Sequence, residues 1–207
     1  MDLRDALTRI AELRETAEES GEFRGYRAMP VAASGLAAIV AALLQSRIVG
    51  EPPAEHPLRF VLYWTVVAIV AAAPSAVRIY LRDWRAAHSV GRRVTRLAVG
   101  QFLPCLAAGA LATIAIVRHS PETAWALPGL WPMLFSLGIF ASCRLMPPGL
   151  VWVGVFYLAA GAWSLAYGRG DLALHPWLMG VPFGAGQFAT AAILAHTEER
   201  HRDRETD

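Results

Sequence analysis

The stretch RIYLRDWRAAHSVGRRVTR, residues 78–96, holds six of the nineteen basic residues of this chain and lies between two long apolar runs. A short loop so rich in Arg is retained on the cytoplasmic side of a membrane, and successive spans alternate in direction. The loop therefore orients every apolar run before and after it. Read outward from it, the sequence divides into six runs, at about 28–49, 60–80, 97–117, 124–143, 149–167 and 176–195. Each is close to the roughly 20 residues that a helix needs to cross the hydrocarbon layer. The expected fold is all-α, a polytopic membrane helical bundle with six transmembrane helices.

Composition agrees with this reading. The chain has 207 residues, 55% of them hydrophobic, and a mean hydropathy of +0.37. Soluble domains have an apolar share nearer roughly 45–50%. The net charge of +2 is small, and the basic residues lie at the edges of the apolar runs, which argues against a nucleic-acid partner. The partner that composition demands is the lipid bilayer. Two cysteines, Cys105 and Cys143, are too few for a disulfide framework or a zinc site, and both are expected to stay unpaired.

Residues 1–27 read as a separate cytoplasmic helix and flank. Leu3, Leu7, Ile10 and Leu13 recur at the spacing of an amphipathic helix. Over residues 1–22, three Arg face seven acidic residues, a net charge of −4. Anionic lipid repels such a helix, so its expected role is docking on protein or self-association. Over residues 78–96, six Arg stand against Asp83, a net charge of +5. Arg82, Arg85, Arg92, Arg93 and Arg96 are thus the expected docking partners of the N-terminal stripe. A charged run ahead of the first span is not the pattern of a cleaved signal peptide.

The orientation follows from the distribution of Arg. Five fall in the N-terminal region, six in 78–96, one at Arg144 and three in the tail, all on the expected cytoplasmic side. Only Arg47, Arg59, Arg118 and Arg169 fall on the other. Both termini are therefore expected in the cytoplasm, with 196–207 as a mobile tail.

Several residues stand out within the spans. Gly154, Gly161 and Gly168 recur at intervals of seven, and Gly180 and Gly184 form a G-x-x-x-G, patterns that allow close helix packing in lipid. Pro74 marks an expected kink in the second span. Arg78, Gln101, Arg144 and Gln187 are polar groups of four different helices and could line a cavity in the cytoplasmic half. The repeat of Gly-Gln-Phe at 100–102 and 186–188 would fit an inverted three-plus-three repeat of the transporter type.

None of the runs contains Asp or Glu, which counts against a proton-coupled pump. No His lies centrally in a run, and H-E-x-x-H is absent, so intramembrane proteolysis and haem ligation lack their residues. The expectation is a non-enzymatic protein without a cofactor. His56, His119 and His175 all map to the outer side, but they lie in different connectors without ligand spacing, and no metal site is expected there.

From ALPGLWPMLFSLGIFAS to WLMGVPFGAGQ, the chain resembles a group of uncharacterised bacterial six-span integral membrane proteins of about this length. Those proteins share an LPG-x-W at the start of the fourth span and a W-x-x-G-x-x-F-G in the last. Here these are Leu127, Pro128, Gly129 and Trp131, then Trp177, Gly180, Phe183 and Gly184. The resemblance implies the six-span architecture and a bacterial inner membrane, and carries no activity with it. The expected function is that of a sensor, scaffold or regulatory partner acting through the acidic helix and the basic connector. The alternative is a small permease or flippase-like carrier.

Overall fold

The computed structural model describes residues 28–85 and 90–206, with the backbone alone for 78, 79, 81–85, 90–95 and 200–206. The expected N-terminal helix, with Leu3, Leu7, Ile10 and Leu13, lies outside the described residues. So do the side chains of Arg78, Arg82, Arg85, Arg92 and Arg93.

Among the described residues every regular element is helical. The order is α1 (Ala28–Val49), α2 (Pro57–Arg85), α3 (Val90–His119), α4 (Leu127–Ser142), α5 (Leu150–Tyr167) and α6 (Trp177–Thr206). Four short 3-10 turns join or extend them, Pro53–Glu55, Pro121–Ala126, Cys143–Leu145 and Gly170–Leu172. Six helical stretches are long and apolar enough to cross a membrane. Alternation places the connectors at 50–56, 120–126 and 168–176 on one face, here the distal face. The 143–149 turn, the described ends of α2 and α3 at Arg85 and Val90, and the described ends of the chain share the other, the terminal face.

The helix boundaries have local causes. Gly50, at φ +95°, stops α1 in a conformation that side chains rarely adopt. Pro57 opens α2, where a missing N–H is harmless. The fourth span begins differently from expectation, because Pro121–Ala126 is a 3-10 turn and the α-helix starts only at Leu127, with Pro128 in its first turn. Helix α2 is described to Arg85, and Gly91 lies inside α3. At the end of the chain α6 continues to Thr206, past the expected boundary at 195, through a segment rich in helix-forming Glu and Arg.

The helices pack in the order α2–α1–α6–α5–α4–α3, and α1–α6 and α4–α5 make the two most extensive contacts. Both depend on small residues. A β-carbon on Gly161 of α5 would fall 2.6 Å from the Gly129 carbonyl oxygen and 2.5 Å from Met133 Cγ of α4. Likewise a β-carbon on Gly180 of α6 would fall 2.5 Å from Ala42 Cβ, and one on Gly184 2.5 Å from Ile39 Cδ1. Gly154 lies against Phe140 of α4, whereas Gly168 ends α5, its N–H bonded to the Ser164 carbonyl. Without a hydrophobic drive between helices in lipid, such close approach is a principal source of association.

Where four helices converge, the centre is filled by aromatic rings. Phe102 of α3, Phe135 of α4, Tyr157 of α5 and Phe183 of α6 stack edge to face or tilted, with centroids 5.0 to 5.7 Å apart. Phe183 also packs on a second cluster of Ala41, Ala42, Val49, Phe60, Trp64, Leu174 and Met179. The distribution is uneven, since 44% of the α4 and α6 spans is buried but only 11% of the α2 span and 6% of the α3 span. Helix α2 packs on α1 through its distal half and touches α3 only slightly. From Ala68 to Val77, every residue but Ala71 and Ser75 is exposed.

Candidate functional site

Among the described residues, the buried polar side chain that ties together the most segments, Gln45, lies near the distal face, whereas Ser142 bonds the Ala98 carbonyl near the terminal face. Gln45, in the last turns of α1, is fully buried, and so is Trp64 of α2 but for 3% of its surface. The Trp64 indole N–H donates to Gln45 Oε1 at 2.7 Å, and Gln45 Nε2 donates to the Leu174 carbonyl at 2.9 Å. One amide thereby ties α1 to α2 and to the α5–α6 connector. Leu174 holds its carbonyl in place with a left-handed backbone, φ +57°, strained for a γ-branched residue and offset by full burial of its side chain. Nearby, Tyr63 donates its hydroxyl to the Ala41 carbonyl at 2.6 Å, a second α2–α1 bond.

Over this network lies a concavity of about 680 Å³ between the end of α1, the α1–α2 connector and the α5–α6 connector. Gln45 and Ser46 form part of its wall, with Glu51, Asp171, His175 and Trp177 around them. Both carboxylates are exposed. The Arg169 guanidinium, two residues before Asp171, is turned onto the ring of Trp125, 4.1 Å from its centroid, and so fastens the α5–α6 connector to the α3–α4 connector.

The expected cytoplasmic-half cavity residues are dispersed. Gln101 and Arg144 are exposed, on α3 and on the turn after α4. Gln187 is half-buried on α6, where its Cβ lies 3.1 Å from the position a Gly35 β-carbon of α1 would take. None of these three lines the distal concavity. Arg96 is exposed at the start of the third span. Of the three histidines, His175 lines the concavity, His56 packs beside Gly50, and His119 ends α3. Among the described residues, no group of three or more His, Cys, Asp or Glu is placed to hold a metal ion. Cys105 and Cys143 are free thiols, both half-buried.

Sequence reasoning passed over Gln45 and Trp64. The available signal was a lone amide near the end of an Ala- and Leu-rich span, paired with a Trp early in the next span at a matching depth.

Fold and packing together define a multi-pass membrane helix bundle with a polar, acidic recess at one end. Compared with known proteins, the chain matches no family model, no curated protein and no solved structure.

Proposed function

We propose that this chain is a non-enzymatic protein of the bacterial inner membrane, with both termini in the cytoplasm. It acts as a sensor, scaffold or regulatory partner through its acidic N-terminal segment and the basic 78–96 connector. The observation that carries the reading is the aromatic knot of Phe102, Phe135, Tyr157 and Phe183, which occupies the space a carrier would need for its substrate path. The exposed α2 and α3 spans, which flank the basic connector, leave room for lateral partners beside it.

Opposite charges of −4 over 1–22 and +5 over 78–96 draw the two cytoplasmic segments together. Each exposed ion pair contributes only about 0–1 kcal/mol and is screened within roughly 8–10 Å in cellular salt. Burial of the Leu3, Leu7, Ile10 and Leu13 stripe adds up to about 1.5–3 kcal/mol per side chain. The contact is therefore switchable by salt or a competing partner. Cysteines at Glu15 and Arg92, in a Cys105→Ser, Cys143→Ser background, should cross-link in membranes, and Leu7→Glu should weaken the product. Absence of a cross-link from every position along the segment rejects the docking. Labelling of Phe183→Cys or Gln187→Cys by a membrane-impermeant maleimide would instead favour the carrier.

A further inference from the structure

We propose that the concavity on the distal face is a binding site for an organic cation, an alkylammonium ion with an apolar body. Its volume of about 680 Å³ lies within the range of small-molecule sites, about 300–1,000 Å³. Its walls carry Glu51 and Asp171 from two different connectors, and no Arg lines it. Two carboxylates around a recess without a lining cation focus a field that draws in positive charge. Arg169, the basic residue nearest to Asp171 in sequence, lies over the Trp125 ring and does not line the recess.

The remaining walls point to an organic ion. Trp177 is 39% exposed at the rim, and an indole face stabilises an ammonium group that lies over it. Ala42, Leu43 and the connector prolines supply apolar surface for the body of the ligand. Gln45 lies fully buried beneath the recess, and its bonds to Trp64 and Leu174 stiffen the floor without offering a polar group to the ligand. A site fixed in this way orders little on binding. A bare metal ion fits less well, since among the described residues no three-ligand group is present. A zwitterionic lipid headgroup shares the ammonium chemistry but would bring its phosphate up to Glu51 and Asp171, so the ligand is a free ammonium compound. This inference does not rest on the proposed function.

The test uses the full chain in nanodiscs of phosphatidylglycerol, titrated with choline and with putrescine by calorimetry. Saturable binding of at least one, with a dissociation constant below about 1 mM, is expected. Asp171→Asn and Trp177→Ala should each weaken it about three- to tenfold. Glu122→Gln, on the neighbouring connector, should leave it unchanged, and the neutral carbon isostere of choline should not bind. Asp171 and Glu51 are exposed, so their amide variants keep the fold. The proposal is overturned by no saturable heat with either probe, by equal binding of the isostere, or by unchanged affinity in both Asp171→Asn and Glu51→Gln. Loss of choline binding in phosphatidylcholine nanodiscs would assign the site to lipid headgroups and overturn the free ligand.

Discussion

Trp64 and Gln45 are joined by a 2.7 Å hydrogen bond between two buried side chains of neighbouring membrane helices. The same amide holds the Leu174 carbonyl, so the pair fastens three segments at one depth. In lipid such a bond has no water to replace it, although measured values average only about 0.6 kcal/mol and reach about 1.7 kcal/mol.

Gln45→Leu removes both bonds and strands the indole N–H and the Leu174 carbonyl. A loss of about 1–2 kcal/mol in unfolding free energy is expected, by denaturant titration in micelles. Trp64→Phe should cost less in polar terms, and the double variant should be less destabilised than the sum of the single ones. Strict additivity would mean that the bond carries no energy.

Gly161→Ala and Gly129→Ala should each destabilise by about 1–3 kcal/mol, because the new methyl group meets a backbone carbonyl of the opposing helix. Gly100→Ala is the matched comparison. Nothing lies within 4 Å of its added β-carbon, so helix propensity alone acts and stability should rise, by up to about 1 kcal/mol. A melting series of the three variants gives both signs in one experiment.

Gly138 receives the Phe102 ring, and a β-carbon there would fall 2.6 Å from ring atoms. Gly138→Ala should therefore be harmful with Phe102 and tolerated with Phe102→Leu. The expected coupling is about 0.5–3 kcal/mol. No coupling would mean that the ring moves aside freely.

Cysteines placed at Glu122 and Asp171 should react with an impermeant reagent from the same side of sealed vesicles, and cysteines at Arg96 and Arg144 from the opposite side. The periplasm is the expected side for the first pair. A mixed pattern within either pair would break the six-span count.

Much of this fold is legible without coordinates, because each span is recorded in the chain as one long apolar run. The run at 28–49 ends where α1 ends, at Val49, and α5, Leu150–Tyr167, fills the run at 149–167. Boundaries are less legible where proline allows two helical forms, as in Pro121–Ala126, whose 3-10 turn carries the same residue types as an α-helical start. Polar function is harder still. Gln101, Gln187 and Gln45 look alike in the sequence, since each is an amide in an apolar run. Direction separates them: Gln101 is exposed on α3, Gln187 packs at Gly35, and only Gln45 meets an indole and a carbonyl. Direction around a helix depends on which neighbours it has, and the order α2–α1–α6–α5–α4–α3 is not written in any local pattern.

Helix α2 is clamped at its distal end by Phe60, Tyr63 and Trp64 and bare from Ala68 to Val77 on nearly every side. Mechanically it is a cantilever whose free arm leads to the 86–89 connector. In a bilayer such an arm would lie among acyl chains, and its angle would answer to the hydrophobic thickness around it, at fractions of a kcal/mol per Å of mismatch. A thinner or thicker membrane would swing the arginine-bearing end of that arm while the clamped end stays fixed.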